Sequence, residues 1–174
     1  MDDPDRLRAL IRHVPDFPKP GILFYDITTL LRDPAGLQAA LDCLAAPYRE
    51  AGIDAVVGIE SRGFLFGIGV ADRLGAGFVP VRKPGKLPAR TVRVAYDLEY
   101  GSDAVEMHDD AIEAGQRVLV VDDLLATGGT AQATVELVAG RGAVVHGLAV
   151  LIELGALDGR ARLAGHDVFA ALRY

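Results

Sequence analysis

Val118-Leu-Val-Val-Asp-Asp-Leu-Leu-Ala-Thr-Gly-Gly-Thr130 is the stretch on which the fold turns. Val118 to Val121 form an unbroken apolar run, the pattern of a strand buried on both faces of a parallel sheet. The strand is predicted over 116–121 and ends in two carboxylates, Asp122 and Asp123. The chain then passes through Ala126, Thr127, Gly128 and Gly129 into a helix predicted over 130–140. Ala131, Thr134, Val135 and Val138 fall on one face of that helix. Small residues in such a turn let backbone N–H groups converge on an anion, and the helix N-terminus adds a favourable dipole. Thr127 and Thr130 add hydroxyl donors. This is the pattern of a monophosphate cradle at the carboxyl end of a strand, where open α/β sheets bind ligands.

The two aspartates narrow the ligand. Carboxylates facing a phosphate repel it, so Asp122 and Asp123 are expected to face hydrogen-bond donors, such as the 2′- and 3′-hydroxyls of ribose. A sugar phosphate with a free diol, with magnesium nearby, fits better than a nucleoside triphosphate. The alternative is a strand-turn-helix with a solvated acidic turn. Two competing phosphate motifs fail. Gly58 and Gly63 have P-loop spacing, but Phe64 stands where lysine is required. Gly67-Ile-Gly69 begins like a dinucleotide fingerprint, but Asp72 replaces its last glycine.

Outward from this stretch, strands alternate with helices. Residues 2–13 have the spacing of a short amphipathic helix, and Pro15, Pro18 and Pro20 forbid regular structure until Gly21. Asp33-Pro34 reads as an N-cap followed by a first-turn proline, opening a helix whose stripe is Leu37, Ala40, Leu41, Leu44, Ala45 and Tyr48. Strands are predicted over 54–59, 78–81 and 143–152, a helix over 63–74, a loop over 83–90 and a hairpin from 91–100 and 104–108. The fold class is therefore α/β, with a mostly parallel central sheet flanked by helices.

The 174 residues suit one domain spanning 1–174, with 51% hydrophobic and 24% charged residues. A net charge of −6 argues against broad attraction to nucleic acid or anionic membrane. The single cysteine, Cys43, excludes an internal disulfide and points to a reducing compartment, the cytoplasm. The charged start (Asp2, Asp3, Asp5, Arg6, Arg8) has no apolar signal region, and no apolar run approaches the ~18–20 residues of a membrane span. His108-Asp109-Asp110 lacks further ligands at metal-site spacing and reads as a charged turn.

Val118 to Thr130 resembles the PRPP-binding (5-phosphoribosyl 1-pyrophosphate) motif of type I phosphoribosyltransferases. Four other segments resemble the adenine-using members in the same order: Asp16-Phe-Pro-Lys-Pro-Gly-Ile-Leu-Phe24, Glu60-Ser-Arg-Gly-Phe-Leu-Phe-Gly67, Val81-Arg-Lys-Pro-Gly-Lys-Leu-Pro88 and Asp97-Leu-Glu-Tyr-Gly101. The resemblance implies a small base-binding hood over about 1–33 and a mobile lid loop over about 82–105. It implies purine salvage: adenine and PRPP give AMP and diphosphate, with Mg²⁺ held by PRPP and water near Asp122 and Asp123 rather than by a dedicated set of protein ligands. Residues 122, 123 and 126–130 would hold ribose and phosphate. The Glu60–Ser61 backbone, with that peptide cis, and Arg62 would meet diphosphate, joined by Arg82, Lys83 and Lys86. Phe24 would stack on the base, Leu23 and Tyr25 would read its edge through the backbone, and Leu154 would close the pocket. Glu99 would handle the purine proton, with Tyr100 positioning the base. Some relatives carry arginine at the place of Tyr25, which opens the question of base choice. The implied assembly is a homodimer. A 6-oxopurine enzyme would need a donor for O6, and a PRPP-sensing regulator would need a nucleic-acid-binding module with a basic face.

Overall fold

The computed structural model describes residues 4–97 and 101–174. Its centre is a five-stranded, wholly parallel sheet in the order β4-β3-β7-β8-β9. The strands are β3 (Ala55–Ile59), β4 (Gly77–Val81), β7 (Arg117–Leu125), β8 (Val144–Glu153) and β9 (Val168–Arg173). The chain winds from β3 to β4 in one direction and from β7 through β8 to β9 in the other. The β3–β7 seam is thus the point where strand order reverses, the usual place for a ligand in such sheets.

β7 does not stop at the carboxylates, as the sequence suggested, but continues through Asp122 and Asp123 to Leu125. Its pairing with β3 ends at Gly58↔Val121, whereas its pairing with β8 continues to Leu125↔Glu153. Beyond Val121 one edge of β7 is therefore released by β3, and both aspartates lie where the seam opens.

Each face of the sheet carries its own apolar cluster. One cluster holds α3 (Pro34–Ala45) and α4 (Gly63–Leu74); the other holds α5 (Gly129–Ala139) and the hairpin β5 (Thr91–Asp97)–β6 (Ser102–His108). Asp33 caps α3 by accepting from Gly36 N at 2.6 Å, with Pro34 in the first turn. The predicted stripe is buried from Ala40 to Tyr48, and the Tyr48 hydroxyl donates to Leu148 O at 3.1 Å. The glycines that weaken a helical reading of α4 serve packing instead. A Cβ on Gly58 or Gly67 would fall 2.6 or 2.7 Å from the Phe78 ring, so their absence lets α4 approach the sheet.

The N-terminal segment differs from expectation. Helix α1 (Pro4–Ala9) is short, and residues expected to continue it form β1 (Arg12–Pro15), antiparallel to β2 (Leu23–Asp26). Pro15 ends β1 opposite Leu23, and Pro18 and Pro20 occupy the connection, so the prolines do not prevent pairing. Asp16 and Gly21 take left-handed conformations, and Gly21 N donates to Asp16 Oδ1 at 2.8 Å. A one-turn helix α2 (Thr28–Leu31), the short helix α6 (Gly159–Arg162) and strand β9 carried too little periodic sequence to be recognised. No helix among the described residues is long and apolar enough to cross a membrane.

Candidate active site

At the end of β7, residues 124–131 wrap a cavity of about 100 Å³, with Asp122 at its edge. Gly128 caps α5 without a side-chain acceptor, at φ 82°, so the first N–H groups of the helix remain free to meet an anion. A Cβ at Gly128 would fall 2.6 Å from Gly159 O, which makes glycine obligatory there on steric as well as conformational grounds. Gly159 in turn is packed on Ala126 O, and α6 is pinned by an ion cluster that sequence reasoning missed. Arg160 makes a fork with Glu153 (Nε–Oε1 2.6 Å, Nη2–Oε2 2.8 Å), and Arg173 Nε reaches Glu153 Oε2 at 3.0 Å. Spacing gives no hint of this brace, because its three members come from separate elements.

Asp122 and Asp123 sit side by side where the seam opens, and the Asp123 N–H donates to Asp122 Oδ1 at 2.9 Å. Asp122 keeps part of its surface open, although its carboxyl is densely surrounded beneath the first residue of α4. Asp123 is only 4% exposed and pairs with Arg62 Nε at 3.0 Å. Burial is the main cause raising both carboxyls above the ordinary aspartate value. The neighbouring Asp123 charge pushes Asp122 further up, whereas Arg62 opposes the rise at Asp123. Asp123 Oδ2 has no well-aligned hydrogen bond among the described residues. A buried acceptor of this kind gains when a donor arrives.

Arg62 also carries its guanidinium 5.3 Å over the Phe24 ring, so Phe24, the loop that follows β3 and Asp123 meet at one side chain. The Glu60–Ser61 peptide before it is cis. Glu60 contributes less backbone than expected, because its N–H is already donated to Val81 O at 2.9 Å. Its carboxylate instead gathers two cations and a backbone amide: Arg82 Nε at 3.1 Å, the Lys86 ammonium, and the Lys83 backbone N–H at 3.0 Å. Burial pushes the Glu60 carboxyl up, but these partners together hold it below the usual glutamate value. Lys83 turns its ammonium to Tyr96 and Asp103, two residues that the sequence reading passed over.

The alternation of β2 separates Phe24 from Tyr25. Phe24 packs edge-on to Phe17 at 5.1 Å and under Arg62. Tyr25 packs against Tyr174 at 4.3 Å and His13 at 5.1 Å. The Tyr25 side chain is thus committed to a C-terminal aromatic cluster, which leaves its backbone as the part available to a base. Leu23 is exposed at the start of the strand, and Leu154, whose N–H donates to Leu125 O at 2.9 Å, packs beside the end of β7. Glu99 and Tyr100, the residues expected to manage the purine proton, lie outside the described residues.

A parallel sheet with a phosphate-sized cradle and paired carboxylates at its switch point defines the phosphoribosyltransferase class, and residues 26–168 match the phosphoribosyl transferase domain. An adenine phosphoribosyltransferase of Solibacter usitatus is 63% identical over 168 residues, covering 97% of either chain. The crystal structure of adenine phosphoribosyltransferase from Thermoanaerobacter pseudethanolicus superposes with a TM-score of 0.96 at 48% identity, over 99% of this chain and 100% of that one. The Saccharomyces cerevisiae enzyme, complexed with adenine and the bisphosphate D-DIAB, does so with a TM-score of 0.92 at 43% identity, over 97% and 98%. The chain belongs to the adenine phosphoribosyltransferase family.

Proposed function

We infer that this chain transfers the 5-phosphoribosyl group of PRPP to adenine, releasing diphosphate and forming AMP. The carrying observation is the cradle at the β3–β7 seam, where a monophosphate-sized pocket adjoins the carboxylates of Asp122 and buried Asp123 and a set of cations. In this reading the 5′-phosphate sits against 126–130, and the ribose hydroxyls donate to Asp122 and Asp123. The diphosphate takes Arg62, Arg82, Lys83 and Lys86. The C1′–oxygen bond to diphosphate breaks as adenine N9 forms its bond to C1′, and the ring loses one proton. Glu99 takes or shares that proton at N7, a role carried by the family resemblance, with Tyr100 positioning the base.

Phe24 stacks on adenine once Arg62 turns to diphosphate, and the backbone at Leu23 and Tyr25 reads the base edge. Leu154 closes the pocket. Residues 1–33 act as the hood and 82–105 as the lid of a single domain, which excludes water from the cationic ribose.

The donor set suits magnesium. A hard cation that keeps several waters needs only one or two carboxylates besides substrate phosphates. In this reading PRPP and water hold the ion, with Asp122 and Asp123 close by, and no cluster of three or more metal-ligating side chains occurs among the described residues. Bound with PRPP, magnesium would neutralise charge on the departing diphosphate. We assign the protein to the cytoplasm from its lone cysteine, and assembly as a homodimer from the family together with Leu65 and Ile68 of α4, 50% and 59% exposed.

Incubation with PRPP, Mg²⁺ and adenine should give AMP, with hypoxanthine and guanine used ~10⁴-fold less efficiently, because the wrong base leaves polar groups unpaired. Comparable kcat/KM for hypoxanthine would overturn the base assignment. Glu99→Leu should lower kcat by ~10²–10⁴ with the protein still folded; a near-normal rate for the chemical step would remove Glu99 from proton transfer.

A further inference from the structure

Lys83 stands two residues beyond the end of β4, and its ammonium is held by the lid hairpin. It donates to the Tyr96 hydroxyl at 2.6 Å, is ion-paired with Asp103 and lies 5.2 Å from the centroid of the Tyr96 ring. Tyr96 on β5 and Asp103 on β6 are register partners across the hairpin. The Tyr96 hydroxyl donates to Asp103 Oδ2 at 3.1 Å and accepts from Thr130 Oγ1 at 3.1 Å. A phenol has one proton and two acceptor sites. With Lys83 and Thr130 donating and Asp103 accepting, all are in use. Thr130 belongs to the first turn of α5, in the phosphate cradle. One phenolic oxygen therefore joins the cradle to a cation of the diphosphate side.

We propose that Tyr96 and Asp103 are positioning residues that hold Lys83 for diphosphate and link its placement, through Thr130, to occupancy of the cradle. The proposal rests on the reading of the site given above and adds two residues to it. Its physical content has two parts. First, the long lysine stem is ordered before substrate arrives, so less freedom is lost on binding. Desolvation pulls the Lys83 ammonium down, but Asp103 and Tyr96 outweigh it and keep the group charged. Second, Thr130 has a single hydroxyl proton. A phosphate oxygen entering the cradle draws that proton away from Tyr96, and the Thr130 oxygen becomes an acceptor. The Tyr96 proton then has a second acceptor besides Asp103, and the grip on Lys83 is redistributed as diphosphate arrives. The hairpin is seated for this exchange: a Cβ on Gly129 would fall 3.2 Å from the Tyr96 ring.

PRPP and AMP share a 5′-phosphate, but only PRPP carries diphosphate, so the two ligands separate positioning of Lys83 from general damage. Calorimetric titration of the full chain with PRPP and with AMP should be run on wild type, Tyr96→Phe and Asp103→Asn, with thermal melts on each. Tyr96→Phe keeps the ring against the cradle and deletes only the hydroxyl. It should weaken PRPP about tenfold, the loss of one hydrogen bond to a charged group, and leave AMP within about twofold. Asp103→Asn should show the same asymmetry and provides the answer if Tyr96→Phe does not fold. Equal weakening of both ligands, or no change in either, would overturn the proposal in favour of a packing role. Wild-type protein that binds neither PRPP nor AMP would overturn the reading of the site itself.

Discussion

In the proposed reading, the cradle and the neighbouring cation side answer the same kind of ligand with different materials. The residues that line the cradle are small, apolar or hydroxylic apart from Asp122, and none of them is basic. The cation side presents four long basic side chains, Arg62, Arg82, Lys83 and Lys86, each already paired with Asp123, Glu60 or Asp103. In the cradle, donors are fixed when the chain folds, so little reorganises on binding. On the cation side, carboxylates relieve the mutual repulsion of the empty site: Asp123 and Glu60 yield their cations to an arriving diphosphate, whereas Asp103 keeps Lys83 in position. The first arrangement suits a group held from substrate through product; the second suits a group that has to leave.

The severest test of that contrast is Gly128→Ala beside Gly85→Ala. Both glycines have positive φ, 82° and 77°, but only Gly128 faces backbone, whereas nothing lies within 4 Å of a Cβ on Gly85. Left-handed strain alone costs ~1–3 kcal/mol. At Gly128 the crowded turn must also shift, so PRPP and AMP affinities should both fall on the order of 100-fold, since misplacement by an ångström has that consequence in a preorganised site. Gly85→Ala should lose some stability and keep both affinities within a fewfold. Isothermal titration and melting curves on the two variants decide it; equal behaviour would mean that the cradle is no more rigid than the loop.

Acid and base should act oppositely on the two regions. Asp122 has a folded pKa raised by burial, so its contribution is full below the unfolded value of ~3.9 and is lost as pH rises through the folded value. Asp122→Asn should therefore melt above wild type at neutral pH, with the advantage vanishing near pH ~3, while PRPP binding weakens roughly tenfold. Glu60 is held below its ordinary value, so its contribution is present above ~4.3 and lost as pH falls through the lowered value. Glu60→Gln should melt below wild type at neutral pH and converge with it in acid. Melting temperatures of both variants across this range that move in the same direction would break the comparison.

Salt offers a gentler probe. Raising ionic strength from ~0.1 to ~1 M shortens the Debye length from about 10 to about 3 Å. Partly exposed cations should feel this more than buried amides, so PRPP affinity should drop several-fold more than AMP affinity. Parallel slopes for the two ligands would place their recognition on the same groups.

The cradle was legible in the sequence because everything it needs is local: an apolar strand, two acids and a run of small residues before a helix, all within Val118 to Thr130. The helix α3 was legible for a similar reason, with its cap and stripe in one continuous segment. What escaped was made by pairing between distant segments. Residues 12–15 form a strand because a partner exists at 23–26, although the helical spacing was expected to run to residue 13 and Pro15 to bar regular structure. Tyr96 and Asp103 face Lys83 only because of hairpin register, and Tyr25 turns away from Phe24 toward a residue at the far end of the chain. The extent of β7 was also underestimated, since its last residues are held by β8 and not by their own apolarity. Motif reading thus located the basic side chains but not Asp103, nor the carboxylate of Glu60 as the group that gathers Arg82 and Lys86.

The smallest effect expected is that of Lys86→Met, and it follows from how the cations share Glu60. Lys86 is half-exposed, and its ammonium meets a carboxylate that also binds Arg82 Nε at 3.1 Å and the Lys83 N–H at 3.0 Å. Removing Lys86 leaves Glu60 with two donors, so no buried charge is stranded, and methionine keeps most of the stem's packing. Exposed ion pairs contribute ~0.2–1 kcal/mol, which corresponds to a change in PRPP affinity of about 1.4- to 5-fold. AMP affinity should not change. A loss of PRPP binding beyond about tenfold, with folding intact, would mean that Lys86 acts as a fixed, irreplaceable contact, and the cation side would then resemble the cradle instead of complementing it.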